Sequence, residues 1–190
     1  MRRPGLGRVA SPTLDTLVAF VLVFGLQTLV GPVGLRDLFV AAPPPWHAPW
    51  TLVTSVYAHR SLEHLAANAL GLALVGFLLE RTTTRLRFHA FFLAAGVVAT
   101  AAELLVGPVP VLGASGAVFA LLGYLTAGNP VSHALVARLR LSTRTQAFLL
   151  VGLAAAVTLV GAGPRVAIVS HFTGLLLGLV AGRVRLLRSR

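Results

Sequence analysis

Cysteine is absent from the sequence. Its absence excludes disulfides, thiol nucleophiles and cysteine metal sites together. Lysine is absent too: all 16 basic residues are arginine, set against only 5 acidic ones. Charge of any sign is scarce at 11%, where a soluble domain carries about 25%. No H-E-x-x-H run occurs, which removes that zinc site. No Gly-Asp pair is available for an aspartyl site. Neither an internal repeat nor a low-complexity linker interrupts the chain.

What fills the sequence is apolar: 56% of 190 residues, with a mean hydropathy of +0.86. That content rules out disorder, and a soluble domain of this length could not easily cover so much apolar surface. The net charge of +11 first suggests a nucleic-acid partner. Such binding needs the arginines on one exposed surface. Here they stand in short groups between long apolar runs, the pattern of a polytopic membrane protein. Nucleic acid is therefore excluded and the lipid bilayer is the expected partner.

A spanning helix needs about 20 mostly apolar residues. The runs at 14–33, 61–80, 88–107, 113–127, 146–162 and 166–182 predict six spans, the fourth of them short. Met1-Arg2-Arg3 before the first run resembles a signal peptide. The run from Thr16 to Gly31 is long for one, so a retained first span is expected. Pro43, Pro44, Pro45 and Pro49 bar regular helix from 41–50, because proline lacks the N–H and clashes with the preceding turn. Arg2, Arg3, Arg8, Arg81, Arg85, Arg87, Arg138, Arg140, Arg144, Arg183, Arg185, Arg188 and Arg190 fall on one side of these spans. Arg36, Arg60 and Arg165 fall on the other. The positive-inside rule then puts both termini in the cytoplasm. The expected fold is an all-α, six-span membrane bundle forming one domain over 1–190, in the plasma membrane of a prokaryote.

Polar side chains inside spans are costly and mark functional candidates. His64 and Asn68 lie early in span two, Ser115 opens span four within Gly113-Ala114-Ser115-Gly116, and His171 lies early in span six. Counting helix rise from the cytoplasmic end puts Ser115, Asn68 and His171 each about 17–18 Å up. One level for three helices predicts one buried polar site. A serine hydroxyl is a weak nucleophile that neutral imidazole can activate, so Ser115 and His171 can form a dyad. No acid lies near His171 in sequence, and no triad is proposed. His64 and Asn68, four apart, share a helix face and can donate to an oxyanion. Backbone N–H groups at the start of span four can do the same. Span four is too short to cross, so its N-terminus must open to a water-filled pocket.

Gly174, Gly178 and Gly182 give span six a flat face for close helix approach. Gly113, Ala117 and Ala120 are the expected partner face on span four. Each feature alone has a packing explanation; their shared depth favours a site. Glu80 beside Arg81 reads as an interfacial ion pair or a loop anchor. His47, His89 and His133 lie near interfaces. His59 is a candidate for lining the pocket, and Glu103 faces a cavity or lies near the outer surface, with no assigned role.

From about Trp50 to Gly182 the chain resembles the rhomboid intramembrane serine proteases. The family's H-x-x-x-N motif matches His64 and Asn68, G-x-S-G matches Gly113 to Gly116, and H-x-x-G-x-x-x-G matches His171, Gly174 and Gly178. The resemblance implies Ser115 as nucleophile, His171 as general base, and His64, Asn68 and the Ser115 N–H as oxyanion stabilisers. It implies no cofactor or metal, and single-span membrane proteins as substrates. It also implies that segment 32–59 is a loop partly in the membrane and that 161–165 caps the site. Departures are Thr51 after Trp50 where arginine is common, the tight Glu80-Arg81 pair, and Phe119 where tyrosine often stacks on the catalytic histidine. Two other readings stay open: an inactive rhomboid-like protein binding membrane-protein clients, and a small transporter using the same buried polar residues.

Overall fold

The computed structural model describes residues 11–107, 109–129, 134, 138–139, 141–160 and 167–188. Its elements are helical throughout, and the one β-type pairing among the described residues is an isolated bridge between Ala41 and Val111. In chain order the helices are α1 (Pro12–Val30), α2 (Thr51–Tyr57), α3 (Leu62–Leu79), α4 (Arg85–Val106), α5 (Ser115–Gly128), α6 (Thr143–Val160) and α7 (Ile168–Arg183). Helices α1, α3 and α4 are long and apolar enough to cross a bilayer, whereas α5 and α7 are apolar but shorter. Span candidates one to six correspond to α1, α3, α4, α5, α6 and α7, with ends shifted by a few residues. The Pro-rich segment 41–50 is indeed not helical, and α2 follows it immediately.

Local chemistry sets the helix starts. Ser11 caps α1 by accepting from the Leu14 N–H, and Pro12 follows at the first helical position, where its missing N–H costs nothing. Ser61 caps α3 by accepting from the N–H of His64. Thr84 caps α4 in the same way through Arg87. A second cap on α1 comes from far along the chain. Glu80 Oε2 accepts from Ser11 Oγ at 2.8 Å and from the Thr13 N–H at 3.2 Å. Glu80 thus anchors the start of α1 and forms no ion pair with Arg81 among the described residues.

Buried Phe20, Val56, Leu72, Phe88, Phe92, Ala117 and Leu121 form the main core between α1, α2, α3, α4 and α5. The outer face of α1 is apolar and bare: Leu22 is 67% and Leu29 78% exposed. Hydrocarbon solvates such a face; water does not. The broadest helix contact is between α5 and α7. A Cβ on Gly174 would collide with the Gly116 carbonyl, one on Gly178 with Ala120, and one on Gly182 with Tyr124. The backbones therefore touch directly, as the glycine spacing of α7 predicts. The partner face differs from expectation. It is Gly116, Ala120, Gly123 and Tyr124, while Gly113 meets His64 and Ala117 turns toward Gly96 of α4. Of the expected Gly113, Ala117 and Ala120, only Ala120 lies in this contact; Gly113 precedes α5, which begins at Ser115, and Ala117 faces α4.

Candidate active site

A cavity of about 760 Å³ opens between α3, α5 and α7. Its lining includes Ser115, His171, His64 and Asn68, with Gly71, Leu74, Val118 and Leu122 supplying apolar wall. The four polar residues read as one site in the sequence therefore meet in one place.

Ser115 is the first residue of α5. Three backbone links fix the segment leading to it. Ala41 and Val111 exchange two N–H···O bonds of 3.0 and 2.8 Å, and the Gly113 N–H donates to the Ser55 carbonyl at 2.9 Å. Gly113 has φ +133°, a region that side chains rarely enter. A Cβ there would also lie 2.6 Å from His64 Cε1. Two requirements thus converge on glycine: the turn into α5, and room for the His64 ring beside it.

His171 lies in the first turn of α7, with Nδ1 buried and without a hydrogen-bond partner. Its ring stacks on Phe119, centroids 4.4 Å apart and planes at 13°. No hydrogen bond joins Ser115 to His171 among the described residues; both line the cavity. Asn68 is buried and donates one amide hydrogen to the His64 carbonyl at 2.9 Å. An amide NH₂ carries two donors, so one remains. Gly116 and Gly174 form the close α5–α7 contact just below Ser115 and His171, and Gly178 continues it one turn on. The described residues contain no group of three or more metal-ligating side chains.

Other sequence candidates fall outside this cavity. His59 is 1% exposed and lines a second cavity of about 300 Å³ with Gln27, Arg36 and Arg60. Its ring is 5.3 Å from that of His64. Both ring nitrogens are buried, and among the described residues they make no regular hydrogen bond beyond a marginal contact with the Tyr57 backbone. Burial, with a smaller contribution from the neighbouring His64, pulls its pKa down to about 4. His89 pairs with Asp15 at 3.3 Å, beside the Arg85–Asp15 ion pair of 2.8 Å. His47 lies in the Pro-rich segment, next to Trp46. His133 and the 161–165 turn lie outside the described residues. Glu103 of α4 reaches α7, where its Oε2 accepts from the Ser170 N–H at 2.7 Å.

One residue was missed altogether. Gln27 is buried in α1 and brackets the backbone of His59: Nε2 donates to its carbonyl at 3.3 Å and Oε1 accepts from its N–H at 3.0 Å. An amide alone in an apolar span is a visible signal, but its partner is main chain and leaves no trace in sequence.

Residues 47–188 match the family described as the Rhomboid domain. The chain belongs to the rhomboid family. Among its relatives is the Rhomboid protease GluP of Bacillus subtilis (strain 168), 36% identical over 115 residues, which are 60% of this chain and 20% of that protein. Another is RHOMBOID-like protein 5 of Arabidopsis thaliana, 31% identical over 142 residues, 73% of this chain and 45% of that protein. The chain thus aligns with less than half the length of either relative. Family and apolar helices together make this rhomboid an integral membrane protein.

Proposed function

We propose that this rhomboid is an intramembrane serine endopeptidase that cuts transmembrane segments of membrane proteins, single-span proteins foremost. The observation that carries the proposal is the convergence of Ser115, His171, His64 and Asn68 on one cavity. Ser115 Oγ attacks the scissile carbonyl while His171 takes its proton. With Nδ1 buried, Nε2 is the nitrogen assigned to that transfer. The oxyanion is held by Asn68, His64 and the Ser115 N–H, which is unpaired at the start of α5. His171 then returns the proton to the leaving amine, and an acyl-Ser115 remains. Water, deprotonated by His171, hydrolyses that ester and restores the serine. The apolar wall below Ser115 suits side chains of a membrane segment. In this reading the chain crosses the membrane six times. Both termini are cytoplasmic, as the arginine distribution favours, and the membrane is a prokaryotic plasma membrane.

One observation favours a second reading. Ser115 and His171 share no hydrogen bond among the described residues. That suits a rhomboid-like protein that binds clients without cutting them. A single experiment decides. Detergent-solubilised protein is incubated with a single-span reporter, beside Ser115→Ala and His171→Ala. The protease reading expects cleavage by wild type only, with losses on the order of 10⁴-fold in either variant. It also expects a fluorophosphonate probe to label wild type and not Ser115→Ala. Equal cleavage by all three proteins removes the dyad. No cleavage or labelling by any of them, with reporter still bound, favours the client-binding reading.

A further inference from the structure

Glu103 is the only acidic residue of α4, and it sits near the end of an apolar helix. A carboxylate at such a position is costly unless something repays its desolvation. What it meets is the backbone of another helix: the Ser170 N–H, at 2.7 Å. Ser170 is the third residue of α7, and its neighbour is His171. The first-turn N–H groups of any helix lack intrahelical partners. In α7 the residue at the cap position is Ala167, which has no side chain to offer them. Glu103 supplies that cap from α4. The acceptor thus stands where the orphan N–H groups and the positive end of the helix dipole lie.

The same face of α4 also touches the nucleophile's helix. Ala99 and Glu103 are four apart and lie one above the other. A Cβ on Gly116 would come within 2.7 Å of the Ala99 Cβ and within 2.7 Å of Ser170 Oγ. Gly116 follows Ser115, and Ser170 precedes His171. Through Ala99 and Glu103, α4 therefore contacts the chain neighbours of both members of the dyad.

We infer that Glu103 is a positioning residue, holding the first turn of α7 at the height and rotation that present His171 to Ser115. This rests on the protease reading above. Glu103 touches neither substrate nor the reacting atoms, so it acts through the α7 backbone alone.

The test uses the full chain in detergent, with wild type, Glu103→Ala and Glu103→Gln. Three quantities are measured: the rate of fluorophosphonate labelling at Ser115, kcat and KM on the reporter, and deuterium uptake by the peptide covering the start of α7. Glu103→Ala should lower labelling rate and kcat on the order of tenfold with KM unchanged, and should raise deuterium uptake there. Glu103→Gln keeps a carbonyl oxygen to accept the bond. It should recover most of the activity and of the protection. A Glu103→Ala variant that labels at the wild-type rate overturns the inference and leaves the protease reading intact. So do Ala and Gln variants that are equally impaired, since the acceptor atom is then not what matters. A wild type that never labels overturns the protease reading, and with it any role of Glu103 in catalysis.

Discussion

The imidazole of His171 lies flat on the ring of Phe119, 4.4 Å between centroids. Phe119 is four residues after Ser115, one turn along the same face of α5. The stack therefore measures the position of α7 against the helix that carries Ser115. A tyrosine would offer the same ring face and add a hydroxyl; phenylalanine gives only the face.

The first prediction follows from that contact. Phe119→Ala should slow fluorophosphonate labelling of Ser115 by about three- to tenfold, the range of an aromatic stack. Phe119→Tyr should label close to the wild-type rate. Phe119→Leu fills space without a ring face and should fall between them. Labelling by Phe119→Leu at the full rate would mean that volume, not stacking, holds the imidazole.

The second concerns the α5–α7 contact. Gly178→Ala would drive a methyl group into the Ala120 backbone. Backbone cannot rotate out of the way, so the two helices must separate. A loss of about 2–3 kcal/mol is expected, read as a lower melting temperature in detergent. Gly25→Ala is the control. Gly25 lies in α1 with nothing within 4 Å of its would-be Cβ, and alanine there should gain about 0.5–1 kcal/mol. If both variants melt alike, the close approach of α5 and α7 is not limiting.

The third prediction is a pH dependence. His59 has its pKa lowered from 6.5 to about 4 in the folded protein. Between those values the unfolded chain binds a proton that the folded chain refuses. Its contribution is complete above pH 6.5, and stability is lost as pH falls toward 4, by up to about 3 kcal/mol. His59→Leu removes the titrating group. Both ring nitrogens are buried with at most a marginal contact to the Tyr57 backbone, so leucine should be close to neutral or stabilising at pH 7.5. The test compares melting temperatures of variant and wild type from pH 7.5 to 4.5. The gap should widen in favour of the variant as pH falls. A constant gap would show that His59 takes up its proton in the folded state.

Much of the site was legible because its residues violate the apolar pattern of their helices. Ser115, His171, His64 and Asn68 each stand out in an apolar run, and helix rise alone put three of them at one depth. What stayed hidden involves the main chain. Glu80 and Glu103 were visible as acids in apolar surroundings, but each accepts from a backbone N–H 67 residues away, Glu80 from the Ser11 hydroxyl as well. Gln27 escaped notice for the same reason. On α5 only Ala120 of the expected contact face meets α7, because glycine spacing on one helix tells that it is approached closely but not which face of its neighbour approaches. Gly113 shows the converse. A motif glycine invites an explanation by turn geometry alone, and only the structure reveals the His64 ring against it.

The contact between α5 and α7 has a mechanical meaning. No side chain lies between these helices where Gly116 meets Gly174 and Ala120 meets Gly178. An interface without rotamers has nothing to adjust, so it behaves as a closed joint. Ser115 and His171 sit at its upper end like the two points of a fixed calliper. In the protease reading, a polypeptide reaching them is not admitted by spreading that joint. Room for it is expected from the neighbours that touch the pair less closely, α3 and α6, leaving the spacing of the points as it was set when the chain folded.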